Sequence, residues 1–543
     1  MLRRSKSVAN KEKLKLSFSQ ILLALLSGLL LALSFTVTWF SWLTWFALIP
    51  FFLSLYNYKI NATNGFKLSF MFSLTYYLLL LTWLFRLHPL TWIGFSEIQS
   101  ILLISAGWFI FSFIESLGLS FVGGIIGLLK PKSSYSKILL PISLWIVIEW
   151  MQSLGATGFT WGRLAISQFE NLPLIQSSNL FGSTFVSALI VLTNVVITLS
   201  ILDYQKRKFS YKPIIWTTII LIINAFYGYY SINYKVDDGR EINAAVIQGN
   251  ILSDQKWDMK AIDMLNLYKG LTEDAIKQYP KTNIVVWPES AITDVIDLKT
   301  MKTRRYEEIL PGLMDIAKKN NIYLTTGIFT IKYSEDGKPL ISNSIVTISP
   351  DEKLLGPYLK RHLVPFGEYL PFRNIIEVLV PSVAKMNAVG TDVFQGTDSV
   401  IMNTPLAKLG GIVCYDSIVP QLIMSSVNDG AELLVLVTND SWYKDSMGVY
   451  QHNAQSVFRS VESDRYMLRA ANTGISTIIK PDGEIISKLD PLVKGFIYNT
   501  VRSRNTKTLY ATIGDSIVLL AFLIIVFLVI IRKDNDLMLM KNE

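Results

Sequence analysis

The sequence predicts a polytopic α-helical membrane domain joined to an α/β domain, and three observations carry that prediction. First, apolar residues are 51% of the chain and mean hydropathy is +0.37, but the surplus is confined to roughly the first 230 residues and the last 35. Residues 240–505 have the mixed composition of a water-facing domain. Second, charge divides along the same line. Residues 235–510 hold 31 Lys/Arg against 32 Asp/Glu, so the flanks hold 20 against 10 and account for the +9 excess. Positive charge that borders apolar runs marks a membrane rather than a nucleic-acid partner. Third, the central region alternates strand-like and helix-like stretches, the pattern of helices packed on sheet faces.

The spans come first. Apolar segments long enough to cross a bilayer fall near 16–34, 37–56, 68–85, 98–129, 138–153, 183–202, 213–231 and 510–531. Arg3, Arg4, Lys6, Lys11, Lys13 and Lys15 precede the first, with no small-residue cleavage site, so a retained span is expected rather than a signal peptide. Every second loop is basic: Lys59 and Lys67, Lys130 to Lys137, Lys206 to Lys212, then Arg532 and Lys533 after the last span. The positive-inside rule places both termini in the cytoplasm and, after seven spans, the α/β domain outside. In a bacterium with two membranes that is the periplasmic face of the inner one. The expected boundaries are a membrane domain over 1–234, an α/β domain over 235–507, and an eighth span with its tail over 508–543. Glu115 and Glu149 sit at membrane depth; hydrogen bonding to a neighbouring helix is the expected role of each.

Within the α/β domain, strands are expected at 242–248, 283–286, 322–328, 343–348, 400–403, 408–413, 432–438 and 476–480. Helices are expected at 257–279, 303–319, 418–427 and 451–470. No Gly-rich phosphate loop occurs in a strand–turn–helix setting, which removes support for nucleotide binding.

The chemistry centres on Gly410-Gly-Ile-Val-Cys414-Tyr. Cys414 is the only cysteine, and it lies where a strand gives way to a helix. A free cysteine is as readily a buried apolar residue as a nucleophile, so its partners decide. A nucleophilic thiol requires a base and a nearby positive charge. Glu289, closing a strand in Trp-Pro-Glu289, supplies a base; Lys360 supplies a cation for the oxyanion. His362 is a rival base, two residues from Lys360. The three histidines (His88, His362, His452) are far apart and there is no second cysteine, so no metal site and no cofactor are expected.

Trp-Pro-Glu289, Lys360-Arg-His-Leu-Val-Pro-Phe-Gly-Glu368-Tyr and Gly-Gly-Ile-Val-Cys414-Tyr resemble, in order, the Glu, Lys and Cys blocks of the carbon–nitrogen hydrolase (nitrilase) superfamily. The resemblance is closer still to its membrane branch, the apolipoprotein N-acyltransferases. It extends through Gln248-Gly-Asn, Lys256-Trp257 and Thr438-Asn-Asp-Ser-Trp442 and covers essentially the whole chain. It implies a nitrilase-like αββα sandwich inserted before the last of eight spans. It also implies Glu289 as general base, Lys360 as oxyanion stabiliser and Cys414 as nucleophile. Glu368, Tyr415 and Trp257 match further positions needed for activity, and Phe159 and Trp161 a lipid-facing loop. Asp416 departs from the family, where Glu is frequent: charge is kept but reach is shorter.

The implied reaction is ping-pong acyl transfer, from the sn-1 ester of a phospholipid (phosphatidylethanolamine) through a Cys414 thioester to the α-amine of a diacylglyceryl-cysteine apolipoprotein. Trp257, Trp287 and Phe366 are candidates to shield that thioester from water. A monomer is expected. Two other readings share the residues: a membrane-tethered amidase with water as acceptor, and a non-catalytic lipoprotein-binding scaffold.

Overall fold

The computed structural model describes residues 15–542 except 37, 92–93, 156–157, 257, 372, 375–377 and 379–391. Of the residues used above, Arg3 to Lys13 and Trp257 lie outside the described ones.

A helix stands at each expected span. Six, among the described residues, are long and apolar enough to cross a membrane: Phe18–Thr36, Trp39–Tyr56, Ala62–Leu87, Glu97–Leu129, Ser183–Gln205 and Lys212–Tyr234. Ser134–Met151 is a further helix with Pro141 inside it. The C-terminal run is broken at Gly514, whose φ of 55° ends the short helix Leu509–Ile513 before Ser516–Asn542 begins. Gly65 and Gly123 let two helices touch: a Cβ on Gly65 would lie 2.0 Å from the Gly123 carbonyl oxygen. Glu115 accepts from Gln152 Nε2 at 2.7 Å, and Glu149 from Trp145 Nε1 at 3.0 Å and from the Leu164 N–H at 3.1 Å. Both carboxyls are hydrogen-bonded to protein.

Among the described residues, the α/β domain has fourteen strands in two sheets. The first holds β1 (Glu241–Gln248), β2 (Ile284–Val286), β3 (Val295–Asp297), β4 (Lys302–Thr303), β5 (Tyr323–Tyr333), β6 (Pro339–Ile348), β7 (Leu354–Leu359) and β14 (Gly495–Arg502). Its order is β14-β1-β2-β5-β3-β4, with β6 pairing β5 and β7 pairing β6. The second sheet runs β13-β12-β11-β10-β9-β8. Its strands are β8 (Ile401–Asn403), β9 (Lys408–Val413), β10 (Leu433–Thr438), β11 (Met467–Ala471), β12 (Ser476–Ile479) and β13 (Ile485–Leu489).

Alternation along the strands builds the layers. On β1, Ala244 and Val246 join Val435 and Val437 of β10 between the sheets. Ala245 and Ile247 face helices Ala261–Gln278 and Ile309–Lys319, meeting Met264 and Leu313. On β10, Leu434 and Leu436 face helices Pro420–Asn428 and Met447–Ser463. Strands covered on both faces have no polar side, which is why β10 reads Leu-Leu-Val-Leu-Val-Thr. The result is an αββα sandwich. Its second helical layer shares one core with the membrane helices, from Phe51 and Trp145 through Trp161 to Phe458 and Leu436.

Two expected elements are corrected. The helix expected to 470 ends at Ser463, where Asp464 takes a left-handed φ of 56°, and Met467–Ala471 pairs in parallel with β10. The helix expected from 303 begins at Ile309, because Thr303 is paired with Ile296 in the β3–β4 hairpin.

Candidate active site

β1, β2 and β5 run parallel in one sheet and β9, β10 and β11 in the other. In such sheets the residues just past the carboxyl ends of strands collect at one site. Glu289 follows β2, Cys414 closes β9 and Asn439 follows β10; Lys360 follows the antiparallel β7.

Lys360 Nζ lies 3.5 Å from Glu289 Oε1 and 2.8 Å from Glu368 Oε2, with the lysine 1% exposed. Asn343, on β6, joins the two carboxylates, donating to Glu289 Oε1 at 2.7 Å and Glu368 Oε1 at 2.8 Å. The second Glu289 oxygen accepts the Asn439 N–H at 2.8 Å. Burial alone would strip Lys360 of its proton; Glu368 and Glu289 outweigh it and hold the ammonium well above its ordinary range.

Cys414 is partly exposed, with a left-handed φ of 48° at the start of the turn Cys414–Ile418. Such a φ is costly for a non-glycine residue and persists where surrounding contacts enforce it. Parallel pairing of Val413 with Val437 sets the thiol beside Thr438. Burial pushes the thiol well above its usual pKa and the Glu289 carboxylate pushes it further, while Lys360 pulls it down. Glu289 and Lys360 thus act on the sulfur in opposite directions.

Asp416 is fully buried and accepts four hydrogen bonds. Oδ1 takes the N–H groups of Arg361 at 3.1 Å and His362 at 2.6 Å; Oδ2 takes Tyr358 Oη–H at 2.8 Å and the Val413 N–H at 3.1 Å. It ties the segment carrying Lys360 to the nucleophile turn. Gly411 makes room, since a Cβ there would lie 2.8 Å from the Tyr358 ring. His362 is not placed as a base. Its Nε2–H donates to the Gly158 carbonyl at 2.9 Å, its ring stacks on Tyr415 at 4.9 Å, and burial lowers its pKa. The Tyr415 hydroxyl donates to the same carbonyl at 3.3 Å.

Phe159 and Trp161 correct the expectation of a lipid-facing loop. They are 8% and 2% exposed and stack on each other at 5.9 Å. Trp161 Nε1 donates to Gln451 Oε1 at 2.6 Å, and its ring neighbours Trp83, Tyr443 and His452. The loop is a clamp between membrane helices and sandwich, because the helix Met447–Ser463 covers what the sequence shows as bare aromatics. Trp287 is also displaced from its expected role: it is fully buried, stacked on Tyr268, and bonded through Nε1 to Thr272 in the outer helical layer. Phe366 is 41% exposed.

Sequence reasoning missed three groups. Asn343 carried no signal, being one polar residue on an alternating strand. Lys256 and the buried cluster Asp440–His452–Arg469 were visible only as parts of quoted blocks or as a lone histidine. Arg469 Nη2 lies 2.7 Å from Asp440 Oδ2, and His452 Nδ1 lies 2.8 Å from Asp440 Oδ1. The donor atoms of Cys414, Asp440 and His452 fall within 4.8 Å of one another, a spacing that suits a metal ion. The Arg469 guanidinium already neutralises that carboxylate, so the set is a poor match for a divalent cation.

Residues 243–510 match the family described as carbon-nitrogen hydrolase, and residues 27–196 match the apolipoprotein N-acyltransferase N-terminal domain. The apolipoprotein N-acyltransferase of Geobacter metallireducens is 32% identical over 507 residues, 91% of each chain. That of Gloeobacter violaceus is 28% identical over 516 residues, 95% of this chain and 94% of its own. Among solved structures, Saccharomyces cerevisiae Nit3, a member of branch 10 of the nitrilase superfamily, aligns at 18% identity and a TM-score of 0.38. That alignment covers 50% of this chain and 93% of Nit3.

Proposed function

Because the chain belongs to the apolipoprotein N-acyltransferase family, we propose that it moves an acyl chain from a membrane phospholipid, through a thioester on Cys414, to the α-amine of a diacylglyceryl-cysteine lipoprotein. The observation that carries this reading is the meeting of Glu289 and Lys360 at 3.5 Å beside Cys414, in a sandwich whose helical layer is continuous with the membrane helices.

In the first half-reaction, Glu289 takes the thiol proton as the sulfur attacks the ester carbonyl, the sn-1 ester of phosphatidylethanolamine in this proposal. Lys360, kept cationic by its two carboxylates, stabilises the oxyanion of the tetrahedral intermediate. Collapse breaks the C–O bond, and Glu289 returns the proton to the departing alkoxide, giving a lysophospholipid and an S-acyl enzyme. In the second half-reaction the acceptor amine attacks the thioester, the C–S bond breaks, and the sulfur regains a proton.

Architecture supports this choice of substrates. Extracting an acyl chain into water costs about 0.8 kcal/mol per CH₂, so a site at the membrane surface leaves both lipid tails in place. The proposed topology has both termini cytoplasmic and the sandwich periplasmic, with the protein acting as a monomer. Glu368 is proposed to hold Lys360, Tyr415 to brace the turn against Gly158, Asp416 to align the two segments, and Phe159 and Trp161 to anchor the sandwich to the helices. Trp257 is proposed as a supporting residue that shields the thioester from water.

The test is incubation with radiolabelled phosphatidylethanolamine, followed by mass spectrometry of the Cys414 peptide, then addition of a diacylglyceryl-cysteine peptide. An acyl mass on Cys414 and an N-acylated peptide are expected. Free fatty acid without N-acylated peptide would assign the protein as a hydrolase, and no adduct at all would end the thioester scheme.

A further inference from the structure

A second lysine stands beside Glu289. Lys256, ending the short helix Ser253–Lys256, is 2% exposed. Its Nζ donates to the Glu289 carbonyl oxygen at 3.1 Å and to Asn439 Oδ1 at 3.5 Å. Both acceptors are neutral, and among the described residues Lys256 forms no ion pair. Lys360 differs, being clasped by two carboxylates. The ionisable groups that face Lys256 are Glu289, past β2, and Cys414, past β9; from β10 it meets the neutral Asn439. Burial lowers its pKa to about 8, with Glu289 and Cys414 pulling the other way. A buried amine held by neutral oxygens exchanges its proton readily; one locked in an ion pair does not.

Amide formation, on the acyl-transfer reading above, releases two protons from the acceptor. An N-terminal α-amine has an ordinary pKa of about 7.7–8.0 and is largely ammonium at neutral pH. It loses one proton before its lone pair attacks the thioester, and a second as the adduct collapses to the amide. The second returns to the Cys414 sulfur through Glu289. The first requires another acceptor, and Lys360 is already protonated. We propose that Lys256 is that second base: its neutral fraction takes the first proton from the α-ammonium and releases it to solvent after the product departs.

The full-length protein separates the two steps. Acyl-enzyme is formed with phosphatidylethanolamine, and a diacylglyceryl-cysteine peptide is then added in a single turnover. Lys256→Met should form acyl-enzyme within about threefold of the wild-type rate, yet transfer the chain about 10²-fold more slowly at pH 7. The deficit should shrink to about threefold near pH 9.5, where the peptide amine is already neutral in solution. Lys256→Arg keeps the charge and hydrogen bonds but not the exchangeable proton, and should be as slow at pH 7. Equal losses in both half-reactions, no recovery at high pH, or wild-type transfer by Lys256→Arg would overturn the assignment. If Lys256→Met does not fold, Lys256→Arg decides alone. Absence of acylated Cys414 in the wild-type protein, seen before peptide is added, overturns the thioester reading itself and is thereby distinguished.

Discussion

The backbone N–H of His362 lies 2.6 Å from Oδ1 of Asp416, two residues past the nucleophile. With the Arg361 N–H on the same oxygen, the carboxylate fixes where Lys360 stands relative to Cys414. All four donors converge on a side chain of this length in a fully buried pocket. A longer Glu overpacks it, at about 1–3 kcal/mol. Asp416→Glu should therefore shift Lys360 relative to Cys414 and slow single-turnover acylation of Cys414 by about tenfold. Wild-type turnover would show that Glu fits equally well.

Glu289→Gln should preserve the Asn343 and Lys360 geometry while removing the base. Adduct formation on Cys414 should fall about 10²–10⁴-fold, measured by mass spectrometry after a short incubation. Lys360→Ala should fall comparably. Lys353→Ala is the control: that side chain is 74% exposed and 3.9 Å from Asp351, and its loss should leave acylation unchanged.

Gly327 on β5 packs directly behind the Glu289 backbone. A Cβ there would lie 2.6 Å from Glu289 Cα and 2.8 Å from the Pro288 carbonyl oxygen, and backbone cannot swing aside. Gly327→Ala should displace Glu289 and slow acylation by about tenfold or more, at a stability cost of about 1–3 kcal/mol. Gly270→Ala, which meets open space within a helix, should be neutral or stabilising by up to about 1 kcal/mol.

Asp440 makes a pH prediction. Burial pushes its carboxyl up, but His452 and Arg469 outweigh this and bring the pKa to about 2, below the unfolded value of about 3.9. A depressed pKa contributes stability that is present above about pH 4 and lost as pH falls through about 2, here about 3 kcal/mol. Arg469→Met leaves the carboxylate buried without its cation, at about 3–5 kcal/mol. Thermal unfolding in detergent between pH 2 and pH 7 should show the variant's deficit largest near neutral pH and shrinking as acid protonates the unpaired carboxylate, whereas the wild type loses stability below about pH 4. Superimposable pH profiles would refute the pairing.

What the chain revealed in advance follows from how locally each feature is specified. Lys408–Val413 was readable residue for residue, because the β-branched pair Ile412-Val413 ends the segment before the turn Cys414–Ile418. Met467–Ala471 was not: Leu, Arg and Ala favour helices, and only pairing with β10 makes them a strand. Glu289, Lys360 and Cys414 stood out through their flanking motifs. Asn343 and Lys256 did not, since their roles exist only after sheets from distant segments are stacked. Phe159 and Trp161 misled for a related reason. An aromatic loop at a membrane edge looks the same whether lipid or a protein helix lies over it.

Helix Met447–Ser463 has scarcely any solvent side: almost every residue from Gly448 to Ser463 is buried, half against the sandwich and half against the bilayer helices. The catalytic unit is thus not a soluble enzyme on a leash that evolution could unclip. Severed near residue 235, it would present to water the apolar flank on which it rests, and would lose the Gly158 carbonyl that receives both Tyr415 and His362. Substrates must therefore come to a stationary anvil.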